Sequence, residues 1–521
     1  MLFRQNPGIL YLHDINVEST VFYVTLFTIC VFICLPDFPP MVDMPQHANQ
    51  VTSLKAMLQG DFIWSNLVEL NIFTPYWVGY IIYLLLALIF PILIATKLVI
   101  CLTFFAFVLS FSFLRKKFDA PSSLDWLLIP AFFGFAYEFG FLNFLLAAPV
   151  GVLFYVLILN FIQNGNLKSA FLVLASGILL AFSHLLIFAF FGLTTFIHIL
   201  LSKNLLKNKK LSIFFFYVFF ALILLGFLGR EDSLASYYGY KSNILFAWQR
   251  MKWSWSLLGT NNFQQHLDAA GATRNFLESF SSKFVGLPAF AFGGGYSLLV
   301  QIIFFMCVLL LPFACGYRFS RKIPSYSLLF SFLLVWFTLP HYIMNTLFIF
   351  QRFAMFFIPA YILCFVKNPE TNLQYALQKN ARTNHLLQSI DKKKIAKISI
   401  YALIIIALLF HPLNDICTFM GKARELRTLI ERIPGNQRAL SLIFHKKEDR
   451  NPHIYNFLPN WYQSMNNGWV DLNFAGASPQ IVRFRPEKIP EIRLSNHGHV
   501  IDLLQWMKTC DLYDLVFIRV C

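Results

Sequence analysis

Charged side chains are scarce in this sequence. Only 13% of its 521 residues are Asp, Glu, Lys or Arg, whereas 57% are hydrophobic and 18% are aromatic. A single soluble core cannot hide that much apolar surface, so lipid must cover a large part of the chain. The composition therefore excludes an ordinary soluble domain and predicts a polytopic integral membrane protein.

Common motifs for nucleotide binding and hydrolysis are also absent. The chain contains no G-x-x-x-x-G-K-[ST], G-x-G-x-x-G, H-E-x-x-H or G-x-S-x-G pattern. Its nine cysteines lack C-x-x-C spacing, and several lie inside apolar runs, where cysteine behaves as a small hydrophobe. These absences argue against nucleotide-driven transport, standard hydrolase chemistry and a cysteine metal site.

Basic residues outnumber acidic ones and give a net charge of +16. They form short clusters between apolar runs, such as Arg115-Lys116-Lys117, rather than the continuous stripe that binds nucleic acid. By the positive-inside rule these clusters mark the cytoplasmic side. The first apolar stretch is followed by Pro36-Asp37 instead of a small-residue cleavage site, which predicts a retained anchor.

Apolar runs that are candidate membrane spans recur along the chain and predict about eleven transmembrane helices. The predicted spans are 21–35, 93–114, 124–135, 144–162, 170–182, 186–201, 211–228, 297–313, 326–339, 347–366 and 398–410. Residues 77–90 are apolar but short, and Pro91 follows them. A crossing there would move nearly every basic loop outside, so we interpret this run as a re-entrant or interfacial hairpin.

This topology places residues 36–76, 137–143 and 230–295 outside, together with everything after His411. We therefore divide the chain into a transmembrane domain, 1–411, and an extracytoplasmic C-terminal domain, 412–521. Short β-like runs at 439–444, 480–484 and 515–520 predict that the second domain is a small α/β domain. Cys510 and Cys521 would face an oxidising compartment and could pair. The aromatic and basic segment 230–295 either binds lipid headgroups or only anchors the protein as an aromatic belt.

The first outer loop reads Asp43-Met44-Pro45-Gln46-His47. On a helix that begins near Pro45, His47 lies one turn from Asp43, so a carboxylate and an imidazole could face one ligand or metal. A structural alternative is that Asp43 caps the helix, because Asp-x-x-Gln resembles a capping box and Pro favours the first turn. That alternative explains everything except His47.

Further polar residues map to the same outer rim. Glu138 ends a span and needs a partner unless it is solvated, and His184 and His341 lie at tight turns. Arg352 lies inside an apolar run, where an arginine is costly unless it is paired or solvated. It suits phosphate binding, although a buried pair with Glu138 or snorkelling to the headgroups would also satisfy it.

The order of these elements resembles the GT-C superfamily of integral membrane glycosyltransferases, in particular bacterial multispanning members. The features that carry the resemblance are Asp43-x-Pro45-x-His47, the surface hairpin, Gly140-Phe141-Leu142-Asn143-Phe144, Ser183-His184, Arg352-Phe353, Ile433-Pro434-Gly435 and Tyr513-Asp514-Leu515-Val516.

The resemblance implies transfer of a sugar from a polyprenyl-phosphate donor at the outer face of a bacterial inner membrane. Asp43 would act as base or metal ligand, with His47 beside it, and Glu138, His184, His341 and Arg352 would bind substrate. The first outer loop lacks the paired-acid motif of the clearest members, which leaves the use of a divalent metal open.

Two other functions fit the same composition. A transporter or flippase for a lipid-linked or amphipathic molecule would also need a polar cavity and Arg352, although the sequence lacks the related halves typical of transporters. A non-catalytic membrane scaffold would need no acid and histidines gathered at one rim. Membrane lipid is a partner in all three cases.

Overall fold

A computed structural model describes residues 17–72, 74–202, 276–293, 297–343, 346–368, 392–443, 452–476, 480–490 and 510–519. The predicted span 211–228, most of the outer segment 230–295 and Cys521 lie outside these residues. The described part of the chain is mostly helical, as its composition predicts.

The helices before residue 203 are α1 (Val17–Cys34), α2 (Met44–Leu58), α3 (Phe62–Leu67), α4 (Trp77–Ile89), α5 (Ile92–Lys117), α6 (Leu128–Phe132), α7 (Phe135–Phe139), α8 (Leu142–Asn164), α9 (Leu167–Ser183) and α10 (Leu185–Leu201). Those after residue 275 are α11 (Phe276–Phe292), α12 (Leu298–Ala314), α13 (Ser327–Thr338), α14 (Phe357–Ile362), α15 (Lys392–Arg432) and α16 (Asn460–Asn466). Short 3-10 helices connect several of them, including Ser122–Leu127 and Gln351–Phe356.

Two described helices, α5 and α8, are long and apolar enough to cross a membrane. Length and composition are the only grounds for this assignment, which supports a membrane protein without fixing the number of spans. Seven shorter apolar helices or helical segments accompany them. Many of these expose large apolar side chains, as at Phe27 (67%) on α1 and Phe171 (67%) on α9. Exposed apolar side chains that form a patch usually contact lipid or another protein.

Two of the predicted spans are not continuous helices. Residues 124–135 divide between a 3-10 helix and α6, with Pro130 inside α6 and an extended Gly134 before α7. Residues 347–366 divide between a 3-10 helix, α14 and a strand. Proline lacks a backbone N–H and glycine disfavours a helix interior, so Pro130 and Gly134 disfavour a continuous helix in the first of these two segments.

Helix α15 is the longest described element, with 41 residues. It passes through the predicted domain boundary at residue 411 without ending, and Pro412 lies inside it. At 1.5 Å per residue, such a helix is about 60 Å long. The apolar run 398–410 therefore continues directly into the amphipathic turns that end at Arg432.

Within the described ranges, nine short strands form four small sheets: β1 (Val68–Leu70) with β8 (Val482–Phe484), β2 (Tyr317–Phe319) with β5 (Phe365–Lys367), β3 (Tyr342–Ile343) with β4 (Thr346–Leu347), and β6 (Arg438–Ile443) between β7 (Trp469–Val470) and β9 (Leu515–Arg519). The last sheet is parallel, and the others are antiparallel. All three predicted β-like runs contain a strand. The run at 480–484, however, pairs with β1, far earlier in the chain, and places Phe484 opposite Val68.

Candidate functional site

Asp43 immediately precedes α2 and is fixed through its backbone. Its N–H donates to Phe139 O at 2.9 Å, and the N–H of Val42 donates to Glu138 O at 3.2 Å. These bonds hold residues 42–43 against the turn between α7 and α8. Gly140 makes the close approach possible, since its φ is +78° and a Cβ there would lie 3.1 Å from Asp43 N.

The Asp43 carboxylate does not cap α2. Pro45 lies in the first turn as predicted, but Asp43 has helical φ and ψ and its side chain makes no capping hydrogen bond. The half-buried carboxylate makes no hydrogen bond with any other residue that the structure describes, so both of its oxygens are available to a ligand. Burial raises the pKa of Asp43 to about 7, against the opposing effect of the Arg352 charge.

His47 is buried one turn into α2 and takes part in a hydrogen-bonded chain. Its Nδ1 hydrogen bonds with the Tyr80 hydroxyl at 2.8 Å, and that hydroxyl donates to Gln480 Oε1 at 2.8 Å. The ring also meets the edge of Phe474 at a centroid distance of 5.3 Å. Burial lowers the pKa of His47 to about 3, partly offset by a hydrogen bond to the Gly140 backbone. The imidazole is therefore neutral at pH 7.

Arg352 lies in the 3-10 helix Gln351–Phe356 and is buried. Its guanidinium stacks on Phe141, with 3.8 Å between the guanidinium carbon and the ring centroid, and donates to Leu347 O at 2.9 Å. The Nε atom is buried and has no hydrogen-bond partner within the described ranges. The stacking on Phe141 and the hydrogen bond to Leu347 O fix the orientation of the guanidinium plane. Some of its N–H groups remain without a partner among the described residues.

The charge of Arg352 acts on Asp43, His47, Tyr76 and His184. No ion pair within 4 Å joins Arg352 to a carboxylate in the part of the chain that the structure describes. The structure therefore does not contain the alternative that the sequence left open, a buried ion pair between Arg352 and Glu138. Asp43 and Arg352 face a common region without neutralising each other by direct contact.

Glu138 meets this region through its backbone carbonyl, and its carboxylate lies beside Gly293. Its carbonyl binds Val42, as above, while its Oε1 lies against Gly293, where an added Cβ would collide with it. Gly293 has a φ of +88°. The structure thus places the Glu138 carboxylate next to the end of α11 instead of next to Arg352.

His184 and His341 lie beside the site, and each makes a hydrogen bond through its Nδ1. His184 joins α9 to α10, and its Nδ1 accepts from Leu186 N at 3.2 Å, which caps α10. Its ring packs on Tyr76 at 5.2 Å, and burial lowers its pKa well below the ordinary value. His341 Nδ1 hydrogen bonds with Gln351 Nε2, one residue from Arg352.

The C-terminal segment closes one side of this region, which the sequence analysis did not predict. Gln46 donates to Leu472 O at 3.1 Å and accepts from Phe474 N at 2.8 Å. Gln50 makes the same pair of bonds with Val482, at 3.0 and 2.9 Å. The i, i+4 spacing of Gln46 and Gln50, which places two amides on one face of the helix, was the available signal for such an interface.

No metal cluster is formed by the described side chains: nowhere among them do three or more His, Cys, Asp or Glu residues stand close enough to hold an ion. Asp43, His47 and Glu138 therefore do not form a ligand set of three in these ranges, either with one another or with His184 and His341. The chemistry available at the site is that of a carboxylate, a neutral imidazole, a phenol and a guanidinium.

Comparison with protein-family models, with curated proteins and with solved structures finds no match to this chain. The function must therefore be argued from the site itself. The residues on which that argument depends are Asp43, His47, Tyr80 and Arg352.

Proposed function

We propose that this chain transfers a sugar from a polyprenyl-phosphate-linked donor to an acceptor at the outer face of a membrane. The observation that carries the proposal is the relation between Asp43 and Arg352. The Asp43 carboxylate does not cap its helix, and the Arg352 guanidinium has a donor without a partner among the described residues. The two groups act on each other electrostatically without forming an ion pair. A base and a phosphate-binding cation in this relation suit displacement of a phosphate leaving group.

The reaction would be an inverting displacement. Asp43 takes the proton of the acceptor hydroxyl while the hydroxyl oxygen bonds to the anomeric carbon. The bond between that carbon and the phosphate oxygen breaks, and its electron pair leaves with the phosphate, whose charge Arg352 offsets. A carboxylate with a pKa of about 7 is a suitable general base near neutral pH.

His47 would position groups in this reaction instead of moving protons. A pKa of about 3 keeps its ring neutral throughout the physiological range. Through Tyr80 and Gln480 it connects α2 to the C-terminal segment. We assign it the role of holding the start of α2, and hence Asp43, at a fixed distance from α4.

The membrane topology that accompanies this function is the one the sequence predicts. About eleven spans would place the basic clusters in the cytoplasm and Asp43 outside, with residues 77–90 as a re-entrant or interfacial hairpin and the C-terminal domain on the outer side. Support comes from α5 and α8 and from the exposed apolar side chains of α1 and α9. A bacterial inner membrane provides both the polyprenyl carrier and this topology.

The test uses purified full-length protein in liposomes with undecaprenyl phosphate carrying a radiolabelled hexose. The measurement is the rate at which label leaves the lipid fraction for water or an added oligosaccharide. We expect Asp43→Asn to lower that rate at least about 100-fold, the scale of a lost general base. Asp119→Asn is the matched control, because Asp119 is exposed and its only described ion pair is a surface one with Lys322.

Two outcomes would overturn the proposal. Equal rates for the wild type and Asp43→Asn would remove Asp43 as the base. Movement of intact labelled lipid between leaflets, without loss of label from it, would instead identify a transporter or flippase.

A further inference from the structure

A cavity of about 600 Å³ lies between α2, the turn that joins α4 to α5, the last part of α15 and α16. Three basic side chains line it, namely Lys55, Lys97 and Arg427, and no carboxylate does. None of the residues around Asp43 and Arg352 belongs to its lining. The cavity is therefore a separate feature of the molecule.

The positive charges of this cavity are unequally compensated. Arg427 takes part in two ion pairs, at 2.7 and 2.8 Å. Lys55 Nζ donates to the carbonyl of Ala87 at 2.7 Å, which fixes its position without neutralising its charge. Lys97 is half-buried and has neither an ion pair nor a hydrogen bond with any other residue that the structure describes. Two cations thus remain available to an anion.

One wall of the cavity is apolar and continues onto the surface. Residues 91–94, Pro-Ile-Leu-Ile, line it, and Ile94 is 46% exposed. Immediately before them, Ile89 is 74% and Phe90 38% exposed at the end of α4. Large exposed apolar side chains beside unpaired lysines are typical of a surface that meets the headgroup layer of a membrane.

We propose that this cavity binds the phosphate-bearing headgroup of an anionic membrane lipid. Lys55 and Lys97 pair with the phosphate, and the acyl chains extend along residues 89–94. A soluble phosphate compound would need the two lysines but would gain nothing from the apolar wall. The proposal shares no residue with the sugar-transfer site, so either can fail without the other.

The test measures lipid binding by native mass spectrometry on the full-length protein in a neutral detergent. Phosphatidylglycerol, phosphatidylcholine and inorganic phosphate are titrated separately. We expect the protein to prefer phosphatidylglycerol and Lys97→Gln to weaken its binding roughly fivefold, the effect of one basic residue at an anionic membrane surface. Lys97→Arg should preserve it.

Lys168→Gln is the matched control, because Lys168 is exposed at the start of α9 and lies outside the cavity. The proposal is wrong if phosphatidylglycerol and phosphatidylcholine bind equally, or if Lys97→Gln and Lys168→Gln behave alike. Binding of inorganic phosphate that depends on Lys97, without a preference between the two lipids, would assign the cavity to a soluble phosphate and overturn the lipid assignment.

Discussion

The Tyr80 hydroxyl donates a 2.8 Å hydrogen bond to Gln480 Oε1, joining residues 400 positions apart in the chain. The same hydroxyl hydrogen bonds with His47, so a single phenol links α2, α4 and the C-terminal segment. All three side chains are buried. Removal of this oxygen would leave two buried polar groups without their common partner, which costs more than the mean value of one hydrogen bond.

Tyr80→Phe should therefore weaken both the fold and the site. We expect the free energy of unfolding to fall by about 1–3 kcal/mol, since buried polar groups lose their partner. Transfer should slow as the start of α2 loosens, with the unfolding midpoint in detergent and the rate of label release as the two measurements. Tyr83→Phe is the control: its hydroxyl is also buried and bonded, to Thr96, but lies outside the site. Equal losses of activity in the two variants would contradict a specific role for Tyr80.

Several features of the site followed from residue type and spacing alone. The start of α2 near Pro45, the turn at Gly140 and the three C-terminal strands were predictable because local patterns determine them. The bonds from Gln46 and Gln50 to the C-terminal backbone were not, since nothing in a single sequence indicates which distant backbone a buried amide meets. The pairing of β1 with β8 was hidden for the same reason, as a strand of three residues has too short a pattern to reveal its partner.

The two predicted spans that are divided in the structure show a second limit of prediction from the sequence. Hydrophobicity reports burial, and both segments are indeed buried. It does not report helix continuity, which Pro130 and Gly134 interrupt in one segment. In the other, the 3-10 turn at Gln351–Phe356 is what orients Arg352 toward Phe141.

The interface between α2 and the C-terminal segment provides a second prediction. Gln46→Ala combined with Gln50→Ala removes four hydrogen bonds to the backbone of Leu472, Phe474 and Val482. We expect this segment to become sensitive to limited proteolysis, because its N–H and C=O groups lose their buried partners. Gln59→Ala, at the exposed end of α2, is the control. Unchanged cleavage kinetics in the double variant would show that these amides do not hold the segment in place.

Arg352→Lys should raise the donor concentration needed for half-maximal rate by about tenfold or more. Lysine keeps the charge but loses the planar group that stacks on Phe141, and it cannot present several donors in one plane. The measurement is the KM for the lipid-linked hexose. Arg432→Lys, an exposed substitution at the end of α15, should leave that KM unchanged. An unaltered KM in Arg352→Lys would show that the guanidinium does not contact the phosphate.

The pKa of Asp43 predicts opposite pH trends for activity and stability. Because the base must be ionised, the transfer rate should rise with pH and level off above about 7. Burial raises the pKa in the folded protein, so folding favours the protonated form of this group. Its contribution to stability is therefore fully present below the unfolded pKa near 4 and is lost as the pH rises through about 7.

The Asp43→Asn variant has no carboxyl group to ionise at this position, so it tests the predicted pH dependence of stability. Thermal unfolding of the wild type and of Asp43→Asn, followed in detergent from pH 4 to pH 8.5, should give midpoints that diverge as the pH rises, with the variant relatively more stable at the alkaline end. Asp119→Asn, the replacement of an exposed carboxylate on the surface, is the control variant. Parallel curves for the wild type and Asp43→Asn would mean that Asp43 ionises as freely in the folded protein as in the unfolded chain, and a plateau in rate already reached at pH 5 would agree with that result.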